Sequence, residues 1–159
     1  MKTKSSFILI LIGIILCFII SIIFLTIGII FNKQINEGQL DEFFEKANNE
    51  QKEMQEIFFK DLNLTKKEEE ILYNQDIKKQ FNILTLFLII TSVIGIIISF
   101  IIGFLLYRIK KKETKKDYII ITILSVIGFI IGGIGMVFSI LLLIIGGIIG
   151  IVKLKDETN

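Results

Sequence analysis

Few residues in this chain of 159 have the type and spacing to do chemistry. Adjacent carboxylates stand at Asp41-Glu42 and Glu68-Glu69-Glu70, a single thiol at Cys17, and a basic group at Arg108, Lys110, Lys111, Lys112, Lys115 and Lys116. Two carboxylates held together can divide acid and base roles or grip a divalent cation. Neighbours along a helix point to different faces, however, and no D-x-D-x-D-G loop surrounds these pairs, so a solvated acidic surface is expected. The chain has no histidine, which removes the commonest general base and metal ligand. Cys17 sits deep in an apolar run, where a thiol acts as a small apolar filler rather than a nucleophile. Leu16 before it lacks the small side chain that lipoprotein processing requires, and a lone cysteine permits no internal disulfide. Gly128, Gly132, Gly133 and Gly135 form no phosphate-cradling loop, because neither the strand nor the lysine of such a loop accompanies them. No catalytic, cofactor-binding, metal-ligating or nucleic-acid-binding residues are predicted, and the chain is expected not to be an enzyme.

The elements that must carry these residues follow from how charge is sorted. Every Lys, Arg, Asp and Glu lies outside three apolar runs, residues 7–31, 81–107 and 118–152. A membrane protein is expected, because the first two runs each suffice to cross a hydrocarbon core of ~30 Å as a helix. The third has 35 residues and would measure over about 50 Å as one straight helix. A break at Gly132-Gly133-Ile134-Gly135 leaves two shorter helices, 118–132 and 135–152, the first lengthened by Thr114 to Asp117, whose lysines can reach toward the headgroups. The predicted fold is therefore all-α with four transmembrane helices in a single membrane domain. A re-entrant hairpin and a single tilted span are the alternatives for the third run. No ionisable side chain lies inside any run, and such groups mark most ion pathways and proton relays, so a pump or coupled transporter is not expected.

Charge also predicts sidedness. The segment 32–80 carries twelve acidic and eight basic residues, whereas 108–117 carries six basic and two acidic. Lysines and arginines beside membrane ends stay in the cytoplasm, which places both termini and the basic loop 108–117 inside and 32–80 outside. The tail 153–159 then returns to the cytoplasm. Residues 7–31 exceed the apolar core of a cleavable signal and lack an A-x-A site, so a retained first helix is expected. Tyr107 and Tyr118 bracket the basic loop as interfacial aromatics would. Its six cations are placed to meet anionic lipid headgroups, each worth about 1 kcal/mol near the surface.

In the external segment, Leu40, Phe43, Phe44, Ala47, Met54, Ile57 and Phe58 recur at threes and fours, which predicts an amphipathic helix over Asp41 to Lys60. The first helix is expected to run on to Asn36 and stop at Gly38. Thr65-Lys66-Lys67-Glu68 fits a capping box and predicts a second loop helix, continuous through Tyr73, Ile77, Phe81 and Leu84 into the second span. The segment would then be an external helical hairpin. The Asn63-Leu64-Thr65 sequon is read as the turn before that cap. The apolar face of the first loop helix must rest on the second, on the membrane surface, or on a protein or peptide partner reached through residues 40–80.

Within the spans, Thr91, Gly95, Ser99 and Gly103 fall every fourth residue and line one helix face. Gly13, Cys17 and Ser21 do so more weakly, and Gly128 with Gly132, Gly135 with Ser139, and Gly146 with Gly150 repeat the spacing. Small residues let helix backbones approach closely in lipid, where hydrophobicity does not drive helices together. Packing within one chain is the first expectation from these faces, a homo-oligomer the second.

The order of elements, closing on Leu142-Leu143-Ile144-Ile145-Gly146-Gly147-Ile148-Ile149-Gly150-Ile151-Val152-Lys153, resembles a family of small four-helix membrane proteins of low-GC Gram-positive bacteria and some archaea, known as a domain of unknown function. The resemblance implies a bacterial or archaeal cell membrane and supplies no catalytic residues. The loop layout is also similar to that of claudins, without their tryptophans and paired loop cysteines. The function expected is that of a non-enzymatic scaffold or interaction protein working through its external loop. The alternatives are immunity to a membrane-active peptide and a holin-like or small-channel oligomer, for which the face from Thr91 to Gly103 would line the assembly.

Overall fold

A computed structural model describes residues 3–59, 77–132 and 136–155. Among these residues all regular structure is helical: α1 (Lys4–Asn36), α2 (Asp41–Phe59), α3 (Ile77–Lys111), α4 (Lys115–Gly132) and α5 (Val137–Lys155). The helix predicted from Thr65, the sequon at Asn63 and the turn at 133–135 lie outside the described residues.

Helix α1 ends where the sequence predicts. Gln39 N–H donates to the Gln34 carbonyl at 3.0 Å and Gly38 N–H to the Ile35 carbonyl at 3.3 Å, a Schellman termination. Gly38 has a φ of +72°, a conformation that side chains with a Cβ resist. The predicted unbroken passage from loop to second span holds over Ile77–Lys111, a stretch without Gly or Pro before Gly95.

Three helices are long and apolar enough to cross a membrane: Lys4–Asn36, Ile77–Lys111 and Val137–Leu154. Helix α4 is not among them, because its 18 residues include Lys115, Lys116 and Asp117 and leave only the stretch from Tyr118 to Gly132 free of charge. At 1.5 Å per residue, the apolar stretches of α1 and α3 measure about 36 and 39 Å, and those of α4 and α5 only about 21 and 22 Å.

The chain divides into two compact units, Met1–Thr26 with Ile89–Asn159, and Ile27–Leu88. In the first, α4 packs on α5. Tyr118 fills the space beside Gly150, and Thr122 the space beside Gly147, so these helices run antiparallel. Helix α1 is antiparallel to α5 as well, with Ile10 beside Gly146, Gly13 beside Leu143, and Ser21 beside Met136. The core is a cluster of Ile10, Ile98, Ile102, Leu105, Leu106, Ile109, Tyr118, Ile121 and Leu143, with Cys17, Met136 and Ile140 forming a second group. In the second unit, Ile35 and Phe44 are buried, and the rings of Phe43, Phe44 and Phe81 pack with centroids 5.5 to 6.4 Å apart.

Two expectations need correction. The segment 108–117 is not a ten-residue loop: α3 runs through Lys111 and α4 starts at Lys115, so only 112–114 lie between helices. Lysine and arginine are good helix formers, which carries α3 on through Lys111, while α4 begins at the Thr114 cap within the Thr114 to Asp117 extension that the sequence predicts. Tyr118 is not an interfacial ring either; it is fully buried, because glycine at 150 leaves room for it on the facing helix.

Candidate functional site

Three stretches far apart in sequence meet in one polar cluster of the first unit: the start of α1, the connection from α3 to α4, and the C-terminal half of α5. The Tyr118 hydroxyl donates to Thr3 Oγ1, whose own proton goes to Glu113 Oε1 at 3.0 Å. The Thr3 amide approaches the same carboxylate oxygen at 3.4 Å. Ser6 Oγ donates to the Gly146 carbonyl, a contact that a side chain at 146 would block. Asp117, 2% exposed, accepts from Thr114 Oγ1 at 2.6 Å with one oxygen and pairs at 3.5 Å with Arg108 Nη2 through the other. The Asp117 amide also reaches back to Thr114 Oγ1 at 3.4 Å, so Thr114 and Asp117 bracket the first turn of α4. A negative charge at this helix start is favoured by the exposed amides there.

Of the six predicted headgroup residues, Arg108 is therefore engaged with Asp117, and Lys111 lies over the Tyr107 ring at 4.7 Å from its centroid. Lys110, Lys112, Lys115 and Lys116 are exposed. Thr3, Ser6, Glu113, Asp117 and the buried role of Tyr118 went unread in the sequence. The T-x-x-D spacing of Thr114 and Asp117 was a legible signal of the cap; the pairing of Thr3 with Tyr118 had none.

The small-residue positions divide into several groups. A Cβ at Gly95 would meet Ser21 Oγ and Met136, and one at Gly146 would lie 2.7 Å from Ile10 Cγ1 and 3.2 Å from the Ser6 carbonyl oxygen. Gly150 and Gly147 abut Tyr118 and Thr122, and Gly13 lies under Leu143 and the Ser139 carbonyl. Thr91, Ser99 and Ser139 are buried. Gly128 has ordinary contact with Ile98, and a Cβ at Gly103 would meet nothing within 4 Å, since it lies off the face of α3 that buries Ile102 and Leu106. Nothing is described of the surroundings of Gly132, and Gly135 lies outside the described residues. Gly147 carries no small-residue signal in the sequence, since Leu143 and Ile151 stand at four-residue spacing from it.

Hydroxyls in these helices serve mostly their own backbone. Ser99 donates to the Gly95 carbonyl at 2.8 Å, Thr122 to Tyr118 at 2.9 Å, Ser125 to Ile121 at 2.7 Å, and Ser139 to Met136 at 2.9 Å. The gap lined by Cys17, Thr91, Gly95, Ser125, Gly128 and Met136 has a volume of about 10 Å³. That is at the lower limit for one water molecule. Among the described residues no three His, Cys, Asp or Glu side chains group to hold a metal ion.

The second unit presents a surface of another kind. The apolar stripe of α2 is split: Phe44 is buried and Ala47 half-buried, while Phe43, Met54 and Ile57 are 55%, 58% and 75% exposed. The helix is rotated so that Phe44, Asn48 and Gln51 face inward, with the Asn48 side-chain carbonyl accepting from Ile77 N–H at 3.1 Å and Asp41 pairing with Lys78 at 2.6 Å. The inward face of α2 is held by these two polar contacts together with the Phe44–Phe81 ring contact at 5.5 Å. Comparison with protein-family models, curated proteins and solved structures finds no match.

Proposed function

We propose that this chain is a non-enzymatic scaffold of a bacterial or archaeal cell membrane, crossing it four times with both termini in the cytoplasm and using α2 on the outside to contact another envelope component. The observation that carries the reading is the exposed half-stripe of α2, Phe43, Met54 and Ile57, on a helix whose other half is packed. Exposed apolar groups arranged along one face mark contact sites. The four-crossing arrangement is supported by the antiparallel packing of α4 on α5 and by the lysines at 115, 116 and 153, whose stems can extend short helices toward the headgroups. The interior gap and the self-satisfied hydroxyls favour a packed scaffold over a small-channel oligomer. The resemblance to small four-helix membrane proteins agrees with this reading.

The test is photocrosslinking in living cells with a reactive side chain placed singly at Phe43, Met54, Ile57 and, as a lipid-facing control, Phe104. Discrete protein adducts at the α2 positions and none at Phe104 are expected. Adducts at Phe104 alone would overturn the assignment of α2 as the contact surface.

A further inference from the structure

We propose that the exposed face of α2 receives a cationic amphipathic helix, an inference that rests on α2 being the contact surface. Phe43, Glu50, Met54 and Ile57 follow at steps of seven, four and three, which puts them on one side of the helix. Glu42 and Glu53 stand, exposed, along the flank of that side away from the buried face, with one cation between them, Lys46, which pairs with Glu50 at 3.9 Å and leaves that edge acidic in balance. The whole helix carries six acidic residues, Asp41, Glu42, Glu45, Glu50, Glu53 and Glu56, against Lys46 and Lys52. An apolar stripe edged by carboxylates is the complement of a helix whose own stripe is edged by lysine or arginine.

The same charges argue against the other occupants. Helices that lie on a bilayer carry cations on their polar face, and the carboxylates here would be repelled by anionic headgroups. A second copy of α2 would bring like charges together. At one end of the stripe the Phe43 ring packs edge-on against Phe44 at 5.6 Å and Phe81 at 6.4 Å. A side chain already held in place loses little freedom on binding.

The experiment uses the full chain in zwitterionic nanodiscs and three fluorescent amphipathic helical peptides of one length: Leu/Lys, Leu/Ser and Leu/Glu. Empty nanodiscs give the lipid background. Above that background the Leu/Lys peptide should bind, weaken in high salt, and bind about tenfold less well to M54S/I57S and to E50Q/E53Q. All four substituted residues are exposed, and unchanged circular dichroism verifies that both variants fold. Equal binding of the Leu/Ser peptide, insensitive to E50Q/E53Q, would overturn the cationic partner while keeping α2 as a contact surface. No binding of any peptide above background would overturn both.

Discussion

Tyr118 and Thr3, 115 positions apart in sequence, share a buried hydrogen bond. Residues ahead of the first apolar run are therefore part of the fold. Removal of α1 as a cleaved leader would take Ile10, Cys17 and Ser21 out of the first unit along with Thr3 and Ser6, and would uncover Gly146, Met136 and Gly95.

Tyr118→Phe should remove one hydrogen bond and leave Thr3 bound to Glu113, a loss of about 1 kcal/mol. Unfolding of the purified protein in detergent should then shift down by about 2–4 °C. Thr3→Val breaks both links of the chain and should lower the midpoint further. A Tyr118→Phe midpoint equal to wild type would mean that the phenol is anchored by its ring alone.

The glycines should separate by position. Gly146→Leu and Gly95→Leu force bulk against Ile10 and against Ser21 with Met136, so both should lose the folded state or unfold well below wild type. A Cβ at Gly103 would meet nothing within 4 Å, and Gly103→Leu should retain the wild-type midpoint. Detergent thermal unfolding of all three decides it. Destabilisation by Gly103→Leu would instead point to a contact with a second copy.

Thr114→Ala should cost about 1 kcal/mol through loss of the α4 cap, and Asp117→Ala at least as much, since it also leaves Arg108 without its partner. Lys115→Ala, exposed beside them, should be neutral. Detergent unfolding midpoints and hydrogen exchange at the first turn of α4 are the measurements. Equal protection in all three variants would deny the cap any role.

Single cysteines introduced into Cys17→Ser at Glu50, Lys111 and Lys153, all exposed, test the crossings. An impermeant thiol reagent should reach Glu50 on intact cells, and Lys111 and Lys153 only after the cells are opened. Reaction at Lys153 from outside would reduce the crossings to three.

Much of the fold was legible because its causes are local. Charge exclusion marked the runs, Gly38 marked the end of α1, and threefold and fourfold spacing marked α2. The continuation of α3 through Lys111 was not legible because a lysine-rich stretch is polar enough to pass for a loop, whereas the extension of α4 back toward Thr114 was. The burial of Tyr118 was illegible, since it depends on Gly150 facing it across two helices. The spacing of apolar residues in α2 made its stripe visible, but which half turns inward depends on contacts with Ile77, Lys78 and Phe81 of another helix.

The two lengths of apolar helix bear on the lipid itself. On the four-crossing reading, the sides formed by α1 and α3 suit a full hydrocarbon thickness, whereas α4 and α5 fall about 8 Å short of ~30 Å. Each ångström of mismatch costs a fraction of a kcal/mol, so lipid beside the short pair is compressed while lipid beside the long pair is not. On that reading the lipid beside α4 and α5 thins by about 8 Å, or the flanking lysines at 115, 116 and 153 reach outward to headgroups that stay where they are.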